Sequence, residues 1–188
     1  VGRRGPDGDG GGNGVLDHEN DILMYVAFKH KETGNQTHRL ISWWTKSDIV
    51  HCELLFDQPR RVALTSSPDT YGIQVCPWPA TLQKEGAWQL FYVPVNDAEV
   101  LAQLLPLVGT AYDTRGLLTG LVLGWVRDVT DSKEFFCSEL TYYALRLHTA
   151  VPLPDVPPAS VTPGQLFAWL KAADLVSVDP TNLQIQYI

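Results

Sequence analysis

A chain of 188 residues, 45% of them apolar and 19% charged, suits one globular domain with a real core and is far from disordered composition. Its 14 Lys and Arg stand against 21 Asp and Glu, a net charge of −7. That argues against a phosphate-tracking nucleic-acid binder, whose affinity comes from counterion release at a basic surface, and leaves room for a local basic patch. Three cysteines, Cys52, Cys76 and Cys137, are too few and too scattered for a disulfide scaffold. No CxxC pair occurs, so a structural zinc site has no support. The longest strongly apolar stretch, residues 116–126, is well short of the roughly 18–20 residues of a spanning helix. No basic-then-apolar leader is visible, which sets the expectation of an intracellular, cytoplasmic protein. The acidic balance does not favour an anionic membrane surface, though peripheral membrane contact stays open.

Residues 1–14 hold seven Gly together with Pro6, Asp7 and Asp9. Ordering them costs more backbone entropy than so few side chains can offset, so residues 1–19 read as a flexible arm and 20–188 as the single domain. Strand signals fill the first half. Residues 22–28 read as a largely buried strand, 48–57 as a second, and 61–66 as its hairpin partner through the Gln58-Pro59-Arg60 turn. Strands over 72–76 and 88–94 follow, separated by Pro77, Pro79 and Gly86. Helical spacing then takes over. Val100, Leu101, Leu104, Leu105 and Val108 predict a helix over 97–108 with Asp97 as its cap. Further helices are expected over 113–126, 137–148 and about 163–173. The last opens on Thr162-Pro163-Gly164-Gln165, a capping box with Pro at the first helical position. Residues 183–188 offer a closing strand. Strands first and helices later is an α+β pattern, with helices segregated against an antiparallel sheet.

Two segments carry chemistry. In the strand 48–57, side chains alternate, so Val50, Cys52, Leu54 and Phe56 share an apolar face while His51 and Glu53 lie on the other, about 6.5–7 Å apart. An ionisable pair turned inward needs a partner or solvent; the alternative is the exposed half of an edge strand. Cys52 reads as an ordinary buried thiol. The second segment is Phe135-Phe136-Cys137-Ser138-Glu139-Leu140. It delivers a Cys into the first turn of a helix, where free amides and partial positive charge favour a thiolate and offer donors to an oxyanion. Taken alone, this segment favours Cys137 as a small apolar filler over a reactive thiol. Ser138 suits the cap, and Glu139, about 200° around the helix from Cys137, should point to a backbone group or a neighbouring loop. Together a Cys at a helix start and a His on a facing strand form the nucleophile–base pair of acyl transfer. His18, His30 and His38 read as surface residues, and His148 suits the negative end of its helix. A metal set of His51, Glu53 and His148 lacks compact ligand spacing, so no metal or cofactor is expected.

Gly109-Thr110-Ala111-Tyr112-Asp113, followed by Phe136-Cys137-Ser138-Glu139-Leu140, resembles the nucleophile half of NlpC-like cell-wall peptidases. There the His strand follows the Cys helix. Here Ser47-Asp48-Ile49-Val50-His51-Cys52-Glu53 precedes it, an order that resembles the circularly permuted branch of the papain-like fold. That branch also holds lecithin–retinol acyltransferase relatives and many bacterial and viral proteins. Ile41-Ser42-Trp43-Trp44-Thr45 and Thr162-Pro163-Gly164-Gln165-Leu166 look like members of it too, and the resemblance spans roughly residues 20–175. It implies an α+β, permuted papain-like fold in which an antiparallel sheet packs against the Cys helix. It also implies Cys137 as nucleophile, His51 as general base, a third polar group orienting the imidazole, and Tyr112 beside Cys137. Ser138 belongs to the same oxyanion or substrate-binding region. The chain departs from the pattern at the third group, because the strand after the His strand offers Thr65, Ser66 and Ser67 and no His, Asn or carboxylate. Glu53 is the stronger acceptor and Ser66 its rival. The expected function is a cysteine peptidase or amidase acting on a peptide or acyl substrate through an acyl-thioester. A lipid acyltransferase or phospholipase-like enzyme is the alternative, and a non-catalytic binding module on the same fold is another.

Overall fold

A computed structural model describes residues 23–31, 36–57, 61–78, 82, 88–113 and 135–180. The arm over 1–19, the turn at 58–60, the strand at 183–188 and all but Asp113 of the helix expected over 113–126 lie outside these residues. The architecture is α+β. Six antiparallel strands run β1 (Leu23–His30), β2 (Ile49–Phe56), β3 (Val62–Ser67), β4 (Gly72–Pro77), β5 (Trp88–Pro94) and the short β6 (Ser177–Val178). Their order across the sheet is β4-β3-β2-β1-β5-β6. The described helices are α1 (Gln36–Thr45), α2 (Asp97–Leu104), α3 (Cys137–His148) and α4 (Pro163–Ala172).

Both faces of the sheet are covered, which is why β1 and β2 read as nearly unbroken apolar runs. On one face Met24, Val26, Phe28, Cys52, Leu54 and Phe56 meet Val100 and Leu104 of α2, Leu140 and Leu145 of α3, and Leu166 and Leu170 of α4. On the other, Tyr25, Ala27, Leu55, Ala63, Trp78, Trp88 and Leu90 form a second cluster. Strand β2 is interior to the sheet, so the edge-strand reading of His51 and Glu53 does not hold.

Several ends depart from expectation for identifiable reasons. Asn96, not Asp97, caps α2, accepting from the Glu99 amide at 3.2 Å, while Asp97 is buried inside the first turn. The helix ends at Leu104 and tightens into a 3₁₀ turn over Leu105–Leu107, where Pro106 cannot continue the α-helical ladder. The capping box of α4 forms as its sequence requires: Thr162 Oγ1 accepts from Gln165 N at 3.1 Å, and Gln165 Oε1 accepts from Thr162 N at 2.9 Å. Helix α1 is a weak helix former by composition, since half of its residues, Thr37, Ile41, Trp43, Trp44 and Thr45, are β-branched or aromatic. His30 is half-buried rather than on the surface, with its ring edge-on to Phe167 at 6.0 Å. Among the described residues no helix is long and apolar enough to cross a membrane.

The pairing of β2 is uneven, and this positions the site. With β1 it runs from Met24↔Phe56 to His30↔Ile49, with a register irregularity at Lys29 and His30. With β3 it covers only Leu54↔Leu64, Leu55↔Ala63 and Phe56↔Val62. Beyond Leu64, β3 stays with β4 through Thr65↔Gln74, Ser66↔Ile73 and Ser67↔Gly72. The sheet therefore opens between Ile49–Glu53 on one side and Thr65–Ser67 on the other.

Candidate active site

The opening is filled by the chain that enters α3. Ser66 Oγ donates to the Phe135 carbonyl at 2.6 Å, which pins this segment to β3. Phe135 is further paired with residues 111–113, its amide donating to Ala111 O at 3.3 Å and its carbonyl accepting from Asp113 N at 3.4 Å. Residues 109–111 lie along the start of β4, with Ile73 N donating to Thr110 O at 3.0 Å and Gly109 N to Ile73 O at 2.9 Å. The approach is so close at Gly72, whose φ is 141°, that a Cβ there would collide with the Thr110 carbonyl. Glycine is required twice over, for the φ and for the space.

Cys137 thus begins α3 at the mouth of the opening. One sulfur there meets groups from both faces of β2, which an intact ladder would keep apart. The His51 imidazole and the Cys52 thiol and backbone stand close enough to it to govern its ionisation. The helix start is braced from three sides. Glu139 Oε2 turns back to accept from Phe136 N at 3.4 Å, Ser138 Oγ donates to Val161 O at 2.6 Å, and Thr141 Oγ1 donates to Cys137 O at 2.9 Å. The Ser138 hydroxyl is therefore directed to the loop before α4 and does not cap the helix.

His51 is held by a carboxylate. Its Nε2 lies 3.0 Å from Glu53 Oε1, with side chains 15% and 5% exposed. Strand neighbours on one face stand about 6.5–7 Å apart, so the Glu53 side chain folds back along the strand to make this contact. Thr65 Oγ1 lies 3.4 Å from the same nitrogen. The Trp88 ring stands edge-on to the imidazole at 6.4 Å between centroids. Ser66, the rival orienting residue, is directed to Phe135.

The electrostatics follow from these contacts. Burial opposes a charge on His51, but the Cys137 thiolate and then Glu53 outweigh it and push the imidazole from 6.5 up to about 10. Cys137 shifts the opposite way. A hydrogen bond from the Cys52 thiol and, against burial, the His51 imidazolium hold it well below the ordinary thiol range. Cys52 is raised by burial and by the neighbouring Cys137 sulfur. Tyr112, half-buried, is raised by burial and then by negative charge at Cys137 and Cys52, which places its hydroxyl within the field of the site. Imidazolium and thiolate favour one another across this contact.

Of the residues expected in the site, His51 and Glu53 are hydrogen-bonded and Cys137 stands beside them, while Tyr112 is half-buried and feels the charge at Cys137. Ser66 and Ser138 serve the backbone around them. Two participants were not anticipated. Cys52, expected as plain core, is buried as foreseen yet stands beside Cys137, and Trp88 flanks His51. Alternation of side chains gave no signal for Cys52, because the contact depends on where β2 loses its partner. Among the described residues no cluster of three His, Cys, Asp or Glu side chains is arranged to hold a metal ion. No protein-family model matches the chain, and no curated protein is similar enough to it to count as a match.

Proposed function

We propose that the protein is a thiol hydrolase or acyltransferase acting on amide bonds, with a permuted papain-like arrangement of its α+β fold. The observation that carries this reading is Cys137 at a helix start beside the His51 imidazole, which favours its thiolate and whose Nε2 is held by Glu53 at 3.0 Å. Because Nε2 faces Glu53, Nδ1 is the nitrogen that exchanges a proton with the thiol. The carboxylate keeps that tautomer and stabilises the imidazolium. The thiolate attacks the carbonyl carbon, and first-turn amides of α3 receive the oxyanion. His51 then gives its proton to the departing amine, leaving an acyl-thioester on Cys137. Water, an amine or a hydroxyl attacks the thioester with His51 as base, and the thiol is restored. Glu53 also supplies the carboxylate that β3 lacks, so catalysis is favoured over a binding module.

The test is alkylation by iodoacetamide followed residue by residue across pH. An ordinary thiol, with a pKa near about 8.5, loses reactivity steadily below neutral pH. Cys137 should keep its rate at pH ~6, since its thiolate persists below the usual range. Turnover of a peptide-amide library should fall as pH rises through about 10, where the imidazolium that protonates the leaving group is lost. Equal labelling of Cys137, Cys52 and Cys76 at acidic pH would overturn the proposal.

A further inference from the structure

A second thiol stands beside Cys137, and it has no part in the hydrolytic cycle. The Cys52 sulfur lies over the first turn of α3, 3.5 Å from Thr141 Oγ1, and close enough to Cys137 to influence its ionisation. Thr141 is one helical turn beyond Cys137 and bonded to its carbonyl, so Cys52 and the start of α3 are packed together. Both thiols are free, with Cys52 1% and Cys137 6% exposed. Cys76, the third, is directed to Ala63 O at 3.9 Å and packs against the cluster on the other face of the sheet.

We propose that Cys52 is a resolving thiol for Cys137, and that a peroxide-class oxidant converts the pair to a reversible disulfide that shuts the site. In the first step the Cys137 thiolate attacks one oxygen of the peroxide. The O–O bond breaks, hydroxide leaves, and the sulfur becomes a sulfenic acid, oxidised by two electrons. In the second step the Cys52 sulfur attacks that of Cys137. The S–O bond breaks, and the displaced hydroxyl leaves with the Cys52 proton as water. Formation of the sulfenic acid removes the thiolate charge that faces Cys52, which eases the loss of its proton. The product keeps Cys137 from over-oxidation to the sulfinic acid, which simple thiols do not reverse. It also removes the thiolate from His51. This inference goes beyond the hydrolase reading, since it needs only the two sulfurs and their nearness.

The experiment uses the full chain, reduced, freed of reductant and treated with a small excess of hydrogen peroxide, then alkylated and digested without reductant. The expected result is an intact mass lower by two hydrogens and a cross-linked peptide pair carrying Cys52 and Cys137. Iodoacetamide labelling at both should be lost and then restored by dithiothreitol. Cys52→Ser should instead gather oxygen on Cys137 that dithiothreitol does not remove. Oxygen accumulating on Cys137 of the parent chain without the cross-link, a cross-link through Cys76, or no oxidation of Cys137 would each overturn the proposal. If Cys52→Ser does not fold, the peptide map of the parent chain decides alone. A failed peptide-turnover assay leaves the cross-link result standing, so the two proposals fail separately.

Discussion

Strands β2 and β3 are the same two strands at both ends, but only one end is zipped. At the closed end, Leu54, Leu55 and Phe56 pair with Leu64, Ala63 and Val62, and all but Val62 are buried apolar side chains. At the open end His51, Cys52 and Glu53 face Thr65, Ser66 and Ser67 without a backbone ladder, and Ser66 bonds instead to the chain that enters α3. The closed end satisfies its backbone through the ladder and its side chains through burial. The open end leaves backbone and polar side chains to be satisfied by an incoming segment, and that segment brings the Cys. A gap in a ladder inside a covered sheet exposes buried polar groups at considerable cost, so it persists only where other contacts fill it.

The comparison breaks most sharply at His51. Replacing it, as in His51→Gln, removes the base and the charge that favours the Cys137 thiolate. The acylation rate should fall by roughly 10²–10⁴-fold, the range general acid–base groups supply. Alkylation of Cys137 at pH ~6 should fall with it toward that of an ordinary thiol. Unchanged acidic-pH labelling in His51→Gln would mean that the open end does not act through this pair.

Leu54→Ala tests the closed end. Deleting a fully buried Leu from the face packed on the helices should cost about 2–5 kcal/mol in denaturant unfolding. The labelling rate of the folded fraction should stay at the parent value, because Leu54 supplies packing and no polar group to the opening. A large change in Cys137 reactivity with little loss of stability would show that the two ends are not separable in this way.

Glu53→Gln probes the open end more gently. The amide still reaches His51 Nε2 but no longer offsets the imidazolium charge, so the Cys137–His51 ion pair weakens and its acid-side titration moves toward neutrality. We expect the single-turnover acylation rate to drop on the order of tenfold to a hundredfold, the lower end of acid–base contributions. The folded state should survive, as volume and shape are kept.

Most of the closed end was legible in the sequence and little of the open end was. The alternation in Ile49–Phe56, the apolar spacing after Cys137 and the Thr162–Gln165 box are local signals, and each element forms where its signal lies. That His51 and Glu53 share a face is also local. Their hydrogen bond is not, because it depends on a side chain folding back against strand geometry. The end of β2–β3 pairing at Leu54 and Leu64 is a property of three segments at once, β3, residues 109–113 and Phe135. Nothing within β2 announces it. Cys52 is buried core as its place on the apolar face requires, and only its nearness to Cys137 lies beyond that reading, since it depends on the neighbouring strand leaving. Helix α1 gives a weak signal because half of its residues, Thr37, Ile41, Trp43, Trp44 and Thr45, favour strands, and tertiary packing overrides that preference.

Ser66→Ala is the smallest change and decides the third residue of the site. The Ser66 hydroxyl is buried and donates to Phe135 O at 2.6 Å, two residues before Cys137, and it makes no contact with His51. Removing it leaves that carbonyl with the Asp113 amide at 3.4 Å as its remaining partner. The lost bond should therefore cost about 0.5–1.5 kcal/mol in unfolding, as a single neutral hydrogen bond does. Its effect on acylation is indirect. The Phe135–Cys137 segment is still held by its pairing to residues 111–113 and by the Ser138 bond to Val161, so Cys137 shifts little relative to His51. We expect Ser66→Ala to slow single-turnover acylation less than Glu53→Gln, with no displacement of the pH at which Cys137 ionises. If Ser66→Ala instead proves the slower variant, or moves that ionisation while Glu53→Gln does not, then β3 supplies the orienting residue and Glu53 is only a buried neighbour. If neither variant departs from the parent chain, Cys137 and His51 act as a dyad.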